Sequence, residues 1–205
     1  MSNTNYHSAE QSKKQNIVAM GEPLGELYSA LWQHLTLLYN KWGDYVALFG
    51  TNPERIVLLN KTGASFFRTV QDCLWDDSLL HLARITDSSS TGKKHNLTIR
   101  RISELVNDVK QKAELEAFVD TAVKATAFAR DWRNRRIAHR DLQLALDLPT
   151  EPLAVGARLK LPRCARCRIT QSEGRLKMTS LLISVSHLCR IRCVLKSPVS
   201  TSTRS

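Results

Sequence analysis

Apolar residues recur along the first 150 positions at steps of three and four, the spacing of one buried helix face. From Leu24 the line runs Leu27, Leu31, Leu35, Leu38, Trp42, Tyr45 and Phe49. Gly50 follows it and predicts the helix end, because glycine readily adopts the conformation that closes a last turn. A second helix is predicted from "TNPE": Asn52 can cap, and Pro53 suits a first position that needs no amide donor. Its core line reads Ile56, Leu59, Gly63, Phe66, Val70 and Cys73, then meets Asp77, Leu80, Arg84 and Asp87. Charges entering a core-facing line are costly unless they are paired or open to a cleft.

"DSSSTGKKHN", residues 87–96, is rich in turn formers and predicts a loop. A short helix is predicted from about Leu97, with Asn96 or Thr98 as cap and Ile99, Ile102 and Leu105 inward. A long helix then runs from Ala113 to about Arg140, on a stripe of Leu115, Phe118, Ala122, Ala125, Ala129 and Trp132. Strand signals are nearly absent before residue 150. The pattern predicts an all-α fold, an antiparallel bundle of four to five helices. After Pro149 the character changes. "TEPLAVGARLKL" can open a further helix, but Pro162 and the basic, cysteine-bearing "PRCARCRIT" cut it short. The expected organisation is a flexible segment over 1–21, a helical domain over 22–155 and an irregular basic tail over 156–205.

Charge follows the same division. Residues 1–150 hold 19 basic and 17 acidic side chains, a balance of +2, whereas residues 151–205 hold 11 and 2, a balance of +9. The net +11 is therefore no argument that the helical body binds nucleic acid, although a local basic cluster still can be one. Cys73 falls in an apolar pattern and reads as a small buried hydrophobe. The other four cysteines, Cys164, Cys167, Cys189 and Cys193, lie in the tail with His187 nearby. The first pair has zinc-ligand spacing and the second is less usual, and the turn glycines and aromatic of a zinc ribbon are missing, so free thiols are preferred over a zinc site on these four and no cofactor is expected. The start of the chain is polar and no apolar run approaches a membrane span, so a cytoplasmic protein without membrane contact is expected.

The densest chemistry is "RDWRNRRIAHRD", Arg130 to Asp141. On a regular helix His139 lies seven residues after Trp132 and shares its face, at the inward edge of the core stripe. Arg135 and Arg136 would be its neighbours, and Asp131 can pair with Arg135. A neutral imidazole beside guanidiniums suits proton transfer on a phosphodiester, with arginine stabilising the phosphate charge. The competing reading is an arginine-rich last turn that complements the helix dipole. A second row, Asp77, His81, Arg84 and Asp87, falls on one side of its helix at steps of four and three. On spacing alone it reads as a structural ion-pair ladder that anchors the loop and the late helix.

Arg133-Asn134, a four-residue spacer and His139 resemble the signature of the HEPN superfamily. "DDSLLHLARITD" (Asp76 to Asp87), "NLTIRRI" (Asn96 to Ile102) and "RNRRIAHRD" (Arg133 to Asp141), in that order, are similar to the abortive-infection AbiU-type branch. The likeness covers roughly Leu24 to Leu148 and stops before the tail. It implies a dimerising helical bundle and, in many members, metal-independent ribonuclease activity of toxin or phage-defence kind. In that role His139 would be the acid/base, Arg133 the phosphate stabiliser and Asn134 an orienting residue. Arg135 and Arg136 would bind phosphate, and Asp77, Arg84, Asp87 and Asp141 would form a supporting layer in which Asp77 or Arg84 holds Arg133 or His139. The implied partners are RNA, a second copy of the chain and an antitoxin protein. Other members only bind RNA, a nucleotide or a partner chain, so the fold alone does not assign the activity. Arg133 and His139 lie six apart, about 240° around an ideal helix. To serve one target, the helix must end or distort between them, or a second protomer must complete the cleft.

Overall fold

The computed structural model describes residues 8–50, 52–146, 148, 149, 151 and 153. "TEPLAVGARLKL" beyond Leu153 and all four tail cysteines lie outside these residues. The described part is almost wholly helical, with α1 (Ala9–Met20), α2 (Glu22–Tyr45), α3 (Pro53–Ile85), α4 (Arg100–Glu104), α5 (Val109–Ala125), α6 (Ala127–Trp132) and α7 (Leu142–Ala145). A two-residue hairpin, β1 (Ser90–Thr91) on β2 (Lys94–His95), sits inside the predicted loop, turning at Gly92.

The N-terminal segment, expected to be flexible, is helical from Ala9. Ser8 and Gln11 form a reciprocal capping box at its start, which satisfies two of the free amide donors. The periodicity missed α1 because its only buried residue is a polar one, Asn16, which donates to Ser29 Oγ on α2 at 3.1 Å. The two helices cross at Gly25, where an added Cβ would stand 2.5 Å from the Ile17 Cα. Gly21, at φ 82°, turns the chain between them.

On α2 the expected line is the core, with Leu31, Leu38 and Tyr45 each 1 % exposed. The helix does not stop at Tyr45. It widens into a π-type turn, Val46–Gly50, that seats Phe49 at 0 % exposure. Asn52 Oδ1 then accepts from the Arg55 amide at 3.1 Å, capping α3 as predicted.

The core line of α3 holds only to Leu59. Gly63 has extended backbone dihedrals inside the helix, and the kink shifts the buried face. Beyond it the inward residues are Gln71, Trp75, Ser78, Leu79 and Leu82, while Phe66 and Cys73 are exposed. The reading of Cys73 as a buried hydrophobe is therefore corrected. Trp75 links the layers, packing on Trp42 and Tyr45 of α2 and edge-on to Trp132 of α6.

The late helix is divided. α5 starts at Val109 behind an Asp108 cap, four residues before the expected point. It breaks at Thr126, a buried residue whose hydroxyl donates to the Ala122 carbonyl at 2.9 Å. The break rotates the stripe, so Ala125 is exposed while Ala129 and Trp132 remain buried. Among the described residues no helix is long and apolar enough to cross a membrane.

Candidate active site at the late helix end

After Trp132 the helix widens into a second π-type turn, Arg133–Ile137, closed by the Ala138 amide on the Arg133 carbonyl at 2.8 Å. The wider turn and the helix end change the phase, so His139 is exposed rather than beside buried Trp132. The expectation that His139 lies at the edge of the core stripe is thus overturned. The distortion between Arg133 and His139 that a shared target requires is present. Asp141 then caps α7, accepting from the Gln143 and Leu144 amides.

The three arginines of this turn divide by partner. Arg133 Nη1 meets Asp87 Oδ2 at 2.5 Å, across from the end of α3. Its Nε donates to the Asn134 Oδ1 at 3.0 Å. Arg135 is clasped by Asp131 at 3.7 Å and Asp141 at 3.5 Å, and it donates to the Glu151 carbonyl. These contacts brace Arg135 between the late helix and the α7 cap. Arg136 lies over the Trp132 ring, 5.2 Å from its centroid. It also opposes the upward push that burial exerts on the Asp76 carboxyl. Of these three, Arg133 is the one that pairs with a carboxylate beyond the α3 end.

Arg130 was not expected to matter, yet it ties the site together. Its guanidinium donates to Thr86 Oγ1 at 2.9 Å, Thr126 Oγ1 at 3.2 Å and the Val123 carbonyl at 2.6 Å. Thr86 and Thr126 are fully buried and bonded to one another at 2.9 Å. Burial, with help from Arg100 and Arg133, pulls Arg130 below its ordinary proton affinity. Arg100 Nε reaches the Thr86 carbonyl at 3.4 Å. The one available signal was the i, i+4 spacing of Thr126 and Arg130. Its partner Thr86 is 40 positions from Thr126 and could not be paired by local reading.

The α3 row is real but its partners are not those expected. Asp77 pairs with Lys41 of α2 at 2.5 Å, so it holds neither Arg133 nor His139. His81 is buried, and its Nε2 lies 3.2 Å from Nδ1 of exposed His34. Burial, then Lys41 and His34, push His81 down to about 4 against a partial offset from Asp77. Arg84 is exposed. It is Asp87, at the end of the row, that reaches Arg133.

Residues 21–154 match the AbiU2 family of HEPN domains. The chain belongs to this family. The matched span takes in α2 through α7, and α1 precedes it. No curated protein and no solved structure matches the chain. The family ties this HEPN domain to abortive infection, and within it the motif Arg133, Asn134, His139 falls on a distorted helix end, anchored to α3 through Asp87.

Proposed function

We propose that this HEPN domain is a metal-independent endoribonuclease of toxin or phage-defence kind. The observation that carries the reading is the Arg133–Asp87 contact at the π-widened end of the late helix, with exposed His139 following two residues after the turn. Asp87 and Asn134 fix the guanidinium at a partly exposed position. Its remaining N–H groups can take a phosphate oxygen there. His139 carries the proton chemistry. It removes the proton of an RNA 2′-hydroxyl, whose oxygen attacks the adjacent phosphorus as the P–O5′ bond breaks. Arg133 stabilises the negative charge gathered on the non-bridging oxygens. The products are a 2′,3′-cyclic phosphate and a free 5′-hydroxyl. In a homodimer whose motifs face one cleft, the second copy's imidazole supplies the proton to the leaving oxygen.

The test is cleavage of single-stranded RNA in excess chelator by the full chain and by His139→Ala. Cleavage by the wild type alone is expected. Equal cleavage by both proteins sinks the assignment, and loss of wild-type activity on adding chelator replaces it with a metal-dependent reaction.

The second reading is a non-catalytic module that binds RNA, a nucleotide or an antitoxin chain. The grouping of Arg133, Arg135 and Arg136 on one turn favours it, since clustered guanidiniums attract phosphate whether or not a bond is cut. It predicts salt-dependent RNA affinity with no cyclic-phosphate product.

A further inference from the structure

Three stretches of the chain meet at the C-terminal end of α3, and Thr86 is their common point. Its hydroxyl accepts from Arg130 Nη1 at 2.9 Å, and its carbonyl accepts from Arg100 Nε at 3.4 Å. The Ile99 amide joins the same end through the Ile85 carbonyl at 2.9 Å. Ile99 and Arg100 belong to "NLTIRRI", Thr86 belongs to "DDSLLHLARITD", and Arg130 lies on α6, three residues before Arg133. Beyond Thr86 the chain leaves the helix, and the Asp87 amide keeps a long contact, 3.4 Å, to the Arg84 carbonyl. Thr86 is thus the fixed residue from which Asp87 extends.

Arg130 takes no part in the chemistry assigned to Arg133 and His139. It donates to neutral oxygens, on the two buried threonines and on the Val123 carbonyl. A partly buried cation on neutral partners adds little to stability against the cost of its desolvation. What the arrangement supplies is geometry. The planar fork joins the end of α3, at Thr86, to Val123 of α5 and to Thr126 at the break before α6. The compact ammonium of a lysine could not span all three. One residue past Thr86 and three past Arg130, Asp87 and Arg133 meet at 2.5 Å. The fork therefore sets the spacing of the two backbones that carry this pair.

We infer that Arg130 is a positioning residue: by clamping Thr86 to Thr126 and Val123, it holds Asp87 against Arg133 and so fixes where the Arg133 guanidinium stands. Its effect on rate rests on the ribonuclease reading, whereas its effect on the Arg133 side chain rests on the Asp87–Arg133 contact alone. Arg130 itself touches neither the RNA nor the reacting atoms.

One arm of the test needs no RNA. The Nε–H group of Arg133, which donates to Asn134, should give a resolved, slowly exchanging signal in a nitrogen–proton correlation spectrum of the full chain. Its loss in Arg133→Lys assigns it. Arg130→Gln should broaden that signal or move it to the position of a mobile arginine. In the second arm, kcat for a single-stranded RNA decamer should fall about tenfold in Arg130→Gln with KM unchanged, the scale of a small misplacement. Adding Asp87→Asn should cost no more than Asp87→Asn alone, because both changes act through one side chain. Arg130→Lys should recover part of the loss. Thr86→Val removes the acceptor on α3, keeps the arginine, and should show the same two effects if Arg130→Gln does not fold. Val119→Ala, at a buried α5 position off the clamp, lowers stability and should leave both the signal and kcat per folded molecule unchanged. A wild-type Arg133 signal already at the mobile position overturns the inference, as do multiplying losses in the double variant or an equal loss in Val119→Ala. If the wild type cuts no RNA but Arg130→Gln still frees the Arg133 signal, the clamp stands and the nuclease reading falls. If RNA is cut and neither Arg130→Gln nor Thr86→Val changes signal or rate, the nuclease reading stands and the clamp falls.

Discussion

Among the described residues two helices end in a π-type turn, and the contrast between the ends explains where function can reside. Val46–Gly50 is apolar, closes α2 and seats Phe49 at 0 % exposure. Arg133–Ile137 follows α6, buries none of its own residues, and carries three arginines and an asparagine. The backbone device is the same; the side chains decide what it does. In the first turn the extra residue inserts an aromatic ring into the core, where tight packing stabilises the bundle. In the second it turns a charged segment outward over a buried floor of Ala129, Trp132 and Thr126. Stability should therefore concentrate at the first turn and activity at the second.

The largest expected effect lies at the second turn. His139→Ala should lower RNA cleavage by about 10³-fold, the size of a lost acid/base group. The side chain is exposed, so the melting temperature should not move. A variant that unfolds instead would make His139 structural and erase the contrast. Phe49→Ala does the opposite. It should cost about 3–5 kcal/mol of folding stability by chemical denaturation, the usual loss for a fully buried aromatic. Cleavage per folded molecule should be retained, and a selective loss of activity would give the first turn a catalytic role.

His81 lies between the two ends and is predicted to set an acid limit on stability. Folding lowers its proton affinity from 6.5 to about 4, so the unfolded chain binds the proton more tightly. Stability contributed by the neutral imidazole is present above pH 6.5, falls as the pH drops below it, and levels off near 4. The loss should amount to about 2 kcal/mol by denaturation at the two ends of that window. His81→Gln should flatten this part of the profile; an unchanged acid slope in the variant would assign it to other groups. Asp87→Asn should lower kcat/KM about tenfold by loosening Arg133, a loss of about 1.4 kcal/mol in transition-state binding. No change would mean that Arg133 needs no anchor. Cys73→Ser, on the exposed side of α3, should alter stability by less than about 0.5 kcal/mol. A larger cost would restore it to the core.

The same contrast explains what could be read before the fold was known. The buried line of α2 was legible from Leu24 to Phe49 because its steps of three and four survive even into the π-type turn. On α3 the reading failed beyond Gly63, where a kink shifted the phase that periodicity assumes constant. The helix α1 escaped notice because it docks through Asn16 and a close approach at Gly25, not through an apolar stripe. At the site, Arg133, Asn134, His139 and the α3 row were all named from the chain. Their partners were not, since Asp87–Arg133 and Thr86–Arg130 join residues more than 40 positions apart. The placement of His139 was wrong for a local reason: a wide turn and a helix end undid the seven-residue spacing from Trp132.

The central claim is that RNA is cut by its own 2′-hydroxyl at this helix end. The most direct measurement replaces that hydroxyl by hydrogen at the cleaved nucleotide of an otherwise identical RNA, in excess chelator. The unmodified strand should yield a 2′,3′-cyclic phosphate end and a 5′-hydroxyl end, while the 2′-deoxy strand stays intact at that position. Cleavage of the 2′-deoxy strand there, or a 5′-phosphate on the unmodified product, would contradict it.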